Sequence, residues 1–412
     1  MKFSFFKYSA IGIDVSDRSV EVVAIKHLGL KNVLAKKARA ILPDGLVVRG
    51  RIQDQKNLLA TISGFLSKNG LRLTDAKKVV FGLSESQSYV HVFKTKIQSD
   101  PDEYGTLVEN ELARLVPIST EEMVATHTVS QQDKEFATLV AAGADRAVVV
   151  EWQDFFSSLG VKNILIAPEI VATVLGLAII KNDLLVCVVD LGAFSTSLVI
   201  CDQTNLLATY SFPKAGEFLT KTIMKAAGLT YEQAEKAKQS GGLLSSDKNI
   251  SDALVFGTQE IIKEIKDFLT YANKQKNLQI KKVLLVGGTC LLGGLIEVLS
   301  KQINVPVEIG TTSLVPKAEG ATFVEAVGLA ISGLKNHVEQ KLFFKRIESE
   351  KNLKKVSASQ TVFNETEKED EEDEDLRETK KIKKQKIILG IVVVCGIILI
   401  GLAFWYRTGG GN

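Results

Sequence analysis

One unit of this chain occurs twice. An apolar strand that ends in aspartate and turns straight back into a second apolar strand appears as "IGIDVSDRSVEVVAI", Ile11 to Ile25, and again as "VCVVDLGAFSTSLVI", Val186 to Ile200. Taken singly, each is a hairpin whose polar or small turn needs no special explanation, since Asp, Ser and Gly accept the backbone angles of tight turns. Taken together, about 175 positions apart, they restrict the fold much further. They call for two related halves that open on the same supersecondary unit, with Asp14 and Asp190 at the two hairpin mouths.

A third element, "VLLVGGTCLLGGLIEVLSKQI", Val283 to Ile303, runs an apolar strand into Gly287 and Gly288 before a helical pattern resumes at Leu291. Glycines there either satisfy a demand for positive φ or let backbone approach a flat or anionic ligand, whose phosphate a helix N-terminus also favours. Both readings stay open. Between the second hairpin and this turn, "KAGEFLTKTIMKAAGLTYEQAEKAKQSGG", Lys214 to Gly242, predicts two helices. Phe218, Ile223 and Ala227 share a face of the first; Thr230 caps the second, in which Glu235 and Lys238 lie one turn apart as a surface ion pair.

With 412 residues, 45% apolar and 24% charged, the chain has room for two or three domains. A net charge of +3, without a basic stretch interleaved with aromatics, argues against nucleic acid as a partner. Cys187, Cys201, Cys290 and Cys395 sit in apolar runs without paired spacing, and His27, His91, His127 and His337 are scattered, so neither a disulfide framework nor a zinc site is expected.

From about residue 346 to 386 the chain is almost wholly polar and contains "ETEKEDEEDEDLRE", Glu365 to Glu378, which predicts a charged disordered linker. Then "IILGIVVVCGIILIGLAFWY", Ile387 to Tyr406, is uncharged and long enough for a transmembrane helix, with Trp405 and Tyr406 placed as an interfacial belt. Lys380, Lys381, Lys383, Lys384 and Lys386 precede it and only Arg407 follows, so the positive-inside rule leaves the N-terminal part in the cytoplasm.

Two carboxylates at hairpin mouths, a second turn of small residues and a double-glycine turn are the parts of a nucleotide cleft between two domains. Main-chain N–H groups of the turns would face phosphates, and the aspartates would hold a hydrated Mg²⁺.

These segments resemble the actin-like ATPase superfamily and, more narrowly, the type IV pilus assembly protein PilM family and its relatives, among them the cell-division protein FtsA. "GIDVSDRSVEVV" is similar to the family's first phosphate motif, "VVDLGAFSTSLVI" to the second and "LLVGGTCLLGGL" to the adenosine motif. "FVEAVGLAISGL", Phe323 to Leu334, resembles the closing helix, and "ENELARLVPISTEEMVATHTVS", Glu109 to Ser130, the family's inserted subdomain. The resemblance covers roughly residues 8 to 340. It implies an α/β fold of duplicated actin-like (ribonuclease H-like) domains around a nucleotide cleft, with a small inserted α+β subdomain at about 80–165.

The resemblance also implies ATP and Mg as ligands. Asp14 and Asp190 would act through Mg²⁺; Ser16 and Ser19 of the first turn and Gly192, Ala193 and Thr196 of the second would bind the nucleotide. Gly287, Gly288 and Thr289 would lie against the adenosine, Glu235 and Lys238 would reach its ribose or base, and Glu169 in "APEIVATVLG" would stand near an attacking water. The first turn departs from the family: Ser16, Asp17, Arg18 and Glu21 stand where relatives carry Gly, small hydroxyl residues and a later Lys. Asp17 is expected to point at the triphosphate and Glu21 to replace a cation, both at a cost in affinity. Lys214 and Ala215 likewise precede a single Gly216 where relatives often pair glycines.

The implied function is a membrane-anchored, nucleotide-binding scaffold for a type IV pilus or related secretion machine at the inner membrane, with PilN-like assembly proteins as partners and self-association possible. The L component of type II secretion resembles this arrangement. An ATP-hydrolysing enzyme or kinase of the superfamily and an FtsA-like division tether are the alternatives.

Overall fold

The computed structural model describes residues 6–28, 31–98, 103–177, 185–202, 205–334 and 342–347. The expected linker beyond Ile347 and the expected span at 387–406 lie outside the described residues. No helix among the described residues is long and apolar enough to cross a membrane.

The first half opens with β1 (Tyr8–Val15), β2 (Ser19–Leu28) and β3 (Lys31–Ile41). Antiparallel pairing places Asp14 opposite Glu21 and Val15 opposite Val20, so the expected hairpin turns at 16–18. A short ladder of β4 (Val47–Val48) and β5 (Arg51–Ile52) follows, then α1 (Gln55–Lys68), whose N-terminus Asp54 caps by accepting from Asn57 N, and β6 (Ala76–Leu83). The chain next builds a separate three-stranded sheet from β7 (Ser88–Lys96), β8 (Met123–Gln132) and β9 (Phe136–Asp145), in the order β7-β9-β8. α2 (Glu103–Leu115) packs against it through Tyr104, Val108 and Leu112. α3 (Arg146–Ser158), β10 (Ile164–Pro168) and α4 (Glu169–Gly176) return to the main body. The inserted sheet therefore runs from 88 to 145; the ends of the expected window of 80–165 fall on β6 and β10, where Val80 and Leu165 are register partners in the large sheet.

That large sheet has the order β10-β6-β1-β2-β3, parallel from β10 to β1 and antiparallel from β1 to β3. β1 is buried along almost its whole length, as a central strand covered on both faces must be. Beneath it Phe81, Trp152, Phe155 and Phe156 form a fully buried aromatic cluster, with Phe81 and Trp152 ring centres 4.4 Å apart. At the sheet edge, Phe344 N donates to Ile166 O at 2.9 Å, which covers part of β10 against pairing with another chain.

The second half repeats the plan. β11 (Val186–Leu191), β12 (Thr196–Cys201) and β13 (Leu206–Phe212) form the antiparallel part. α5 (Gly216–Ala227), α6 (Tyr231–Gly241) and the long α7 (Lys248–Lys276) lead to β14 (Lys282–Val286), α8 (Leu295–Gln302) and β15 (Val307–Ile309). The order β13-β12-β11-β14-β15, with β11 parallel to β14 and β14 to β15, matches that of the first sheet strand for strand. Ile223 of α5 is fully buried here with Phe218 and Ala227 packed beside it, the face that the spacing predicts, and Thr230 closes a reciprocal capping box with Gln233 at the start of α6.

α9 (Val324–Ser332) then crosses back to the first sheet and lies on α4. The crossing is so close that a Cβ on Gly328 would stand 1.7 Å from Ala172 O. This contact fixes the first turn of α9 beside the carboxyl ends of β1, β6 and β10.

Candidate functional site

In open α/β sheets, ligands collect outside the carboxyl ends of the parallel strands, where loops diverge. Here that edge gathers carboxylates. Asp14 comes from the end of β1, Glu85 from just beyond β6, Glu169 from the first position of α4 after β10, and Glu325 from the first turn of α9. Ligand oxygens of Asp14, Glu169 and Glu325 all lie within 4.8 Å of one another. Asp190, at the equivalent place on β11, raises the pKa of Asp14 and of Glu325 through space, so the two hairpin mouths face one another as the internal repeat implies.

Burial is the main force on these groups. It pushes Asp14, Glu169 and Glu325 well above the carboxylate range, and each is pushed further by its acidic neighbours. Burial, then Glu85, moves Asp190 up to about 7. As ionised groups, Asp14 Oδ1, Glu85 Oε1, Glu169 Oε1 and Glu325 Oε1 are buried without a hydrogen-bond donor. Only a proton would let Asp14 pair with Glu325, or Glu85 with Glu169. Oxygen donors converging without a partner are the environment a hard divalent cation takes.

The first turn is closed on itself. Ser16 N donates to Ser19 O, Ser16 Oγ accepts from Ser19 N at 3.1 Å, and Ser19 Oγ donates to Glu21 Oε2 at 3.2 Å. Ser16 and Ser19, expected on the nucleotide, are thus occupied in building the turn. Asp17 does not carry its charge toward a phosphate either. Its carboxylate accepts from Arg49 N at 2.9 Å and Gly50 N at 3.0 Å, holding a bend in which both residues have positive φ. Trp152 Nε1 pins the other side of that bend by donating to Gly50 O at 2.9 Å. Glu21 is buried and paired with Arg39 of β3, so the cation that seemed absent from this position is supplied by the next strand.

The second turn closes on the equivalent bond, Gly192 N to Ser195 O at 3.1 Å, but its carbonyls reach out to neighbouring elements. Gly192 O accepts from Gly216 N at 3.2 Å and from Thr289 Oγ1 at 2.9 Å, and Ala193 O accepts from Glu217 N at 2.7 Å. The turn, the start of α5 and the double-glycine turn therefore form one cradle. Gly287 has φ +82°, and a Cβ there would meet Asp190 Oδ1 at 2.3 Å, so backbone angle and room for Asp190 both require glycine. A Cβ on Gly288 would meet nothing within 4 Å, so the turn is open on that side. Thr196 is fully buried and donates to Lys214 O at 2.7 Å; it anchors β12 from beneath and does not line the cradle. Lys214 itself pairs outward with Glu260 and Glu264 of α7.

Glu235 and Lys238 form a pair, but not on the surface. Lys238 is 8% exposed and donates to Gly216 O, Thr220 Oγ1 and Glu235 Oε2, which uses all three ammonium protons. The pair braces the start of α5 and has no donor left for a ribose.

Across the mouth, Arg18 of the first turn donates to the Tyr231 hydroxyl of α6 and pairs with Asp44, while Tyr231 donates to Glu217 at 2.8 Å. Arg49 lies over the Phe194 ring of the second turn, 5.9 Å from its centre. Glu85, Glu325, Tyr231 and Phe194 escaped the sequence reading. An acidic residue two positions past an apolar strand, in "FGLSESQ", was the available signal for Glu85; Glu325 reads as an ordinary first-turn acid until α9 is seen crossing to β1.

The family model described as type IV pilus assembly protein PilM matches residues 12–325. A solved structure described as the PilM–PilN type IV pilus biogenesis complex superposes with a TM-score of 0.69 at 22% identity, covering 80% of this chain and 99% of that one. Diol dehydratase-reactivating factor in its nucleotide-free form gives 0.50 at 10% identity, over 79% of this chain and 100% of that one. MreB 5 of Spiroplasma citri bound to AMPPNP gives 0.46 at 13% identity, over 79% and 94%. The two lobes have the actin-like α/β ATPase fold.

Proposed function

The chain belongs to the type IV pilus assembly protein PilM family, whose model spans most of its length, and from that premise we propose that it is an actin-like scaffold of the pilus assembly or a related secretion machine, with Mg²⁺–ATP as a structural or regulatory ligand. The observation that carries the ligand is the facing of Asp14 and Asp190 across one cleft, with unpaired buried oxygens on one side and a cradle of small residues on the other.

The residues fit both parts of that ligand. Asp14 and Asp190 would hold the hydrated cation, and bound Mg²⁺ would supply the positive charge that phosphates need beside so many carboxylates. Ala193 and Phe194 would orient phosphates through backbone N–H groups, with Gly192, whose own N–H is taken by Ser195 O, shaping the turn beneath them, and Gly288 with Thr289 would face the adenosine. Arg18 with Tyr231, and Arg49 with Phe194, bridge the lobes at the mouth.

Glu169 is buried with one carboxylate oxygen unpartnered, and burial and the acids Glu325, Glu85 and Asp14 hold it well above the carboxylate range, a setting that suits a group beside a bound cation.

The described relative of known structure is a complex with PilN, and a PilN-like inner-membrane protein is the partner proposed here. The uncharged stretch at 387–406 would anchor the lobes to the inner membrane on its cytoplasmic side. Purified full chain should bind ATP saturably in the presence of Mg²⁺, lose that binding in Asp190→Ala, and turn over no more ATP than the variant does. Steady turnover abolished by Asp190→Ala would replace the scaffold with an enzyme.

A further inference from the structure

We propose that Asp14, Glu169 and Glu325 bind a hard divalent cation directly, in the first lobe alone and without nucleotide. Their ligand oxygens lie within 4.8 Å of one another. A calcium-sized ion at about 2.3–2.6 Å from each oxygen spans roughly 5 Å between opposite ligands, and a smaller ion needs only a slight contraction. The donors come from separate, rigidly held elements: the end of β1, the start of α4 and the first turn of α9, with α4 and α9 locked at the Gly328 crossing.

A further observation points to a ligand. Glu169 is 7% exposed and Asp14 9%, yet Glu169 Oε1 and Asp14 Oδ1 have no hydrogen-bond partner. An ionised carboxylate oxygen left so in a buried place costs several kcal/mol. Gly82 of β6 makes room for the two glutamates to converge: a Cβ there would stand 2.7 Å from Glu325 Oε1 and 2.9 Å from Glu169 Cγ. Arg39 of β3 already serves Glu21. The donor set is all oxygen and acidic, which selects Mg²⁺, Mn²⁺ or Ca²⁺ over metals that prefer nitrogen or sulfur.

This deepens the nucleotide reading and rests on it only for sharing the cleft. The cation is in place before ATP arrives, and Asp190, on the other lobe, contributes only once the nucleotide is bound. Protons shared between the carboxyls are the competing way to relieve the crowding.

Full chain stripped of metal and nucleotide is titrated with Mn²⁺ at pH 7.5, with free Mn²⁺ read by electron paramagnetic resonance. One equivalent should bind and be displaced by Ca²⁺ or Mg²⁺. Glu325→Gln and Glu169→Gln should each weaken it at least tenfold, and Asp190→Asn less than threefold. Metal-free melting temperatures of the two glutamine variants should equal or exceed the parent's, since a crowded buried charge is removed; loss of binding is then not loss of fold. Absence of saturable Mn²⁺ binding, or binding that both glutamine variants leave unchanged, overturns the site in favour of shared protons. So does binding that appears only with ATP and is lost equally in Asp190→Asn, an outcome that leaves the nucleotide reading intact. Failure of ATP to bind under any condition would sink that reading and leave the Mn²⁺ result standing.

Discussion

The two hairpins that open the lobes share antiparallel pairing, turn length and an aspartate one residue before the first strand ends, but have been put to different uses. The first turn is rigid and self-satisfied: Ser16 and Ser19 bond to each other, Asp17 leaves the cleft to hold the bend at Arg49 and Gly50, and Glu21 is paid for by Arg39. The second is built from small residues whose carbonyls tie it to α5 and to the glycine turn. The first lobe therefore gathers carboxyl groups around Asp14, while the second presents backbone around Asp190. A duplicated unit keeps its strand register because the core demands it; its turn, free of that demand, diverged into a cation side and a phosphate side.

The largest effect should come from closing the second turn. Gly287→Ala forces a side chain onto φ +82° and against Asp190, and should lower unfolding free energy by about 3 kcal/mol in urea titration. A change under 1 kcal/mol would show that this turn adapts as the first cannot. In the first hairpin, Asp17→Ala removes two bonds to a charged acceptor and should cost about 2 kcal/mol, with ATP affinity unchanged within twofold by calorimetry. Tighter ATP binding would return this side chain to the phosphates and make the turns alike again.

The acidic side predicts an inverted pH response. Carboxyls whose folded pKa is raised bind more protons folded than unfolded, so their contribution is full below about pH 4 and fades as pH rises through the folded values, near 7 for Asp190. Facing Asp14, Glu85, Glu169, Glu325 and Asp190, with Glu21 held by Arg39, metal-free protein should lose on the order of 1 kcal/mol between pH 5 and 8, measured by chemical denaturation. Stability rising over that interval would mean that the cluster is already compensated. The smallest effect is expected at the mouth. Arg18→Ala breaks a half-exposed ion pair and its bond to Tyr231, and should cost less than about 1 kcal/mol.

Much of the fold was legible. The repeat called two halves, and the matched strand orders follow from it; Asp14, Asp190 and Glu169 were marked because polar residues at strand ends stand out against apolar runs. What could not be read was direction. Asp17 lies one residue from where a phosphate contact would be, and only the bend at Arg49 and Gly50, some thirty residues on, reveals that it points away. Lys238 pairs with Glu235 at the predicted spacing, but its burial under Gly216 depends on how α5 meets α6. Glu325 joins Asp14 only because α9 returns across most of the chain, a tertiary contact with no local signature.

The division of labour between the hairpins comes to one titration: ATP added to the full chain, first in chelator and then in saturating Mn²⁺. If the acidic lobe must be charged by a cation before the cradle can take phosphates, ATP binds at least tenfold tighter with Mn²⁺, and Asp190→Ala erases the gain. Equal affinity in chelator and in Mn²⁺ would contradict it.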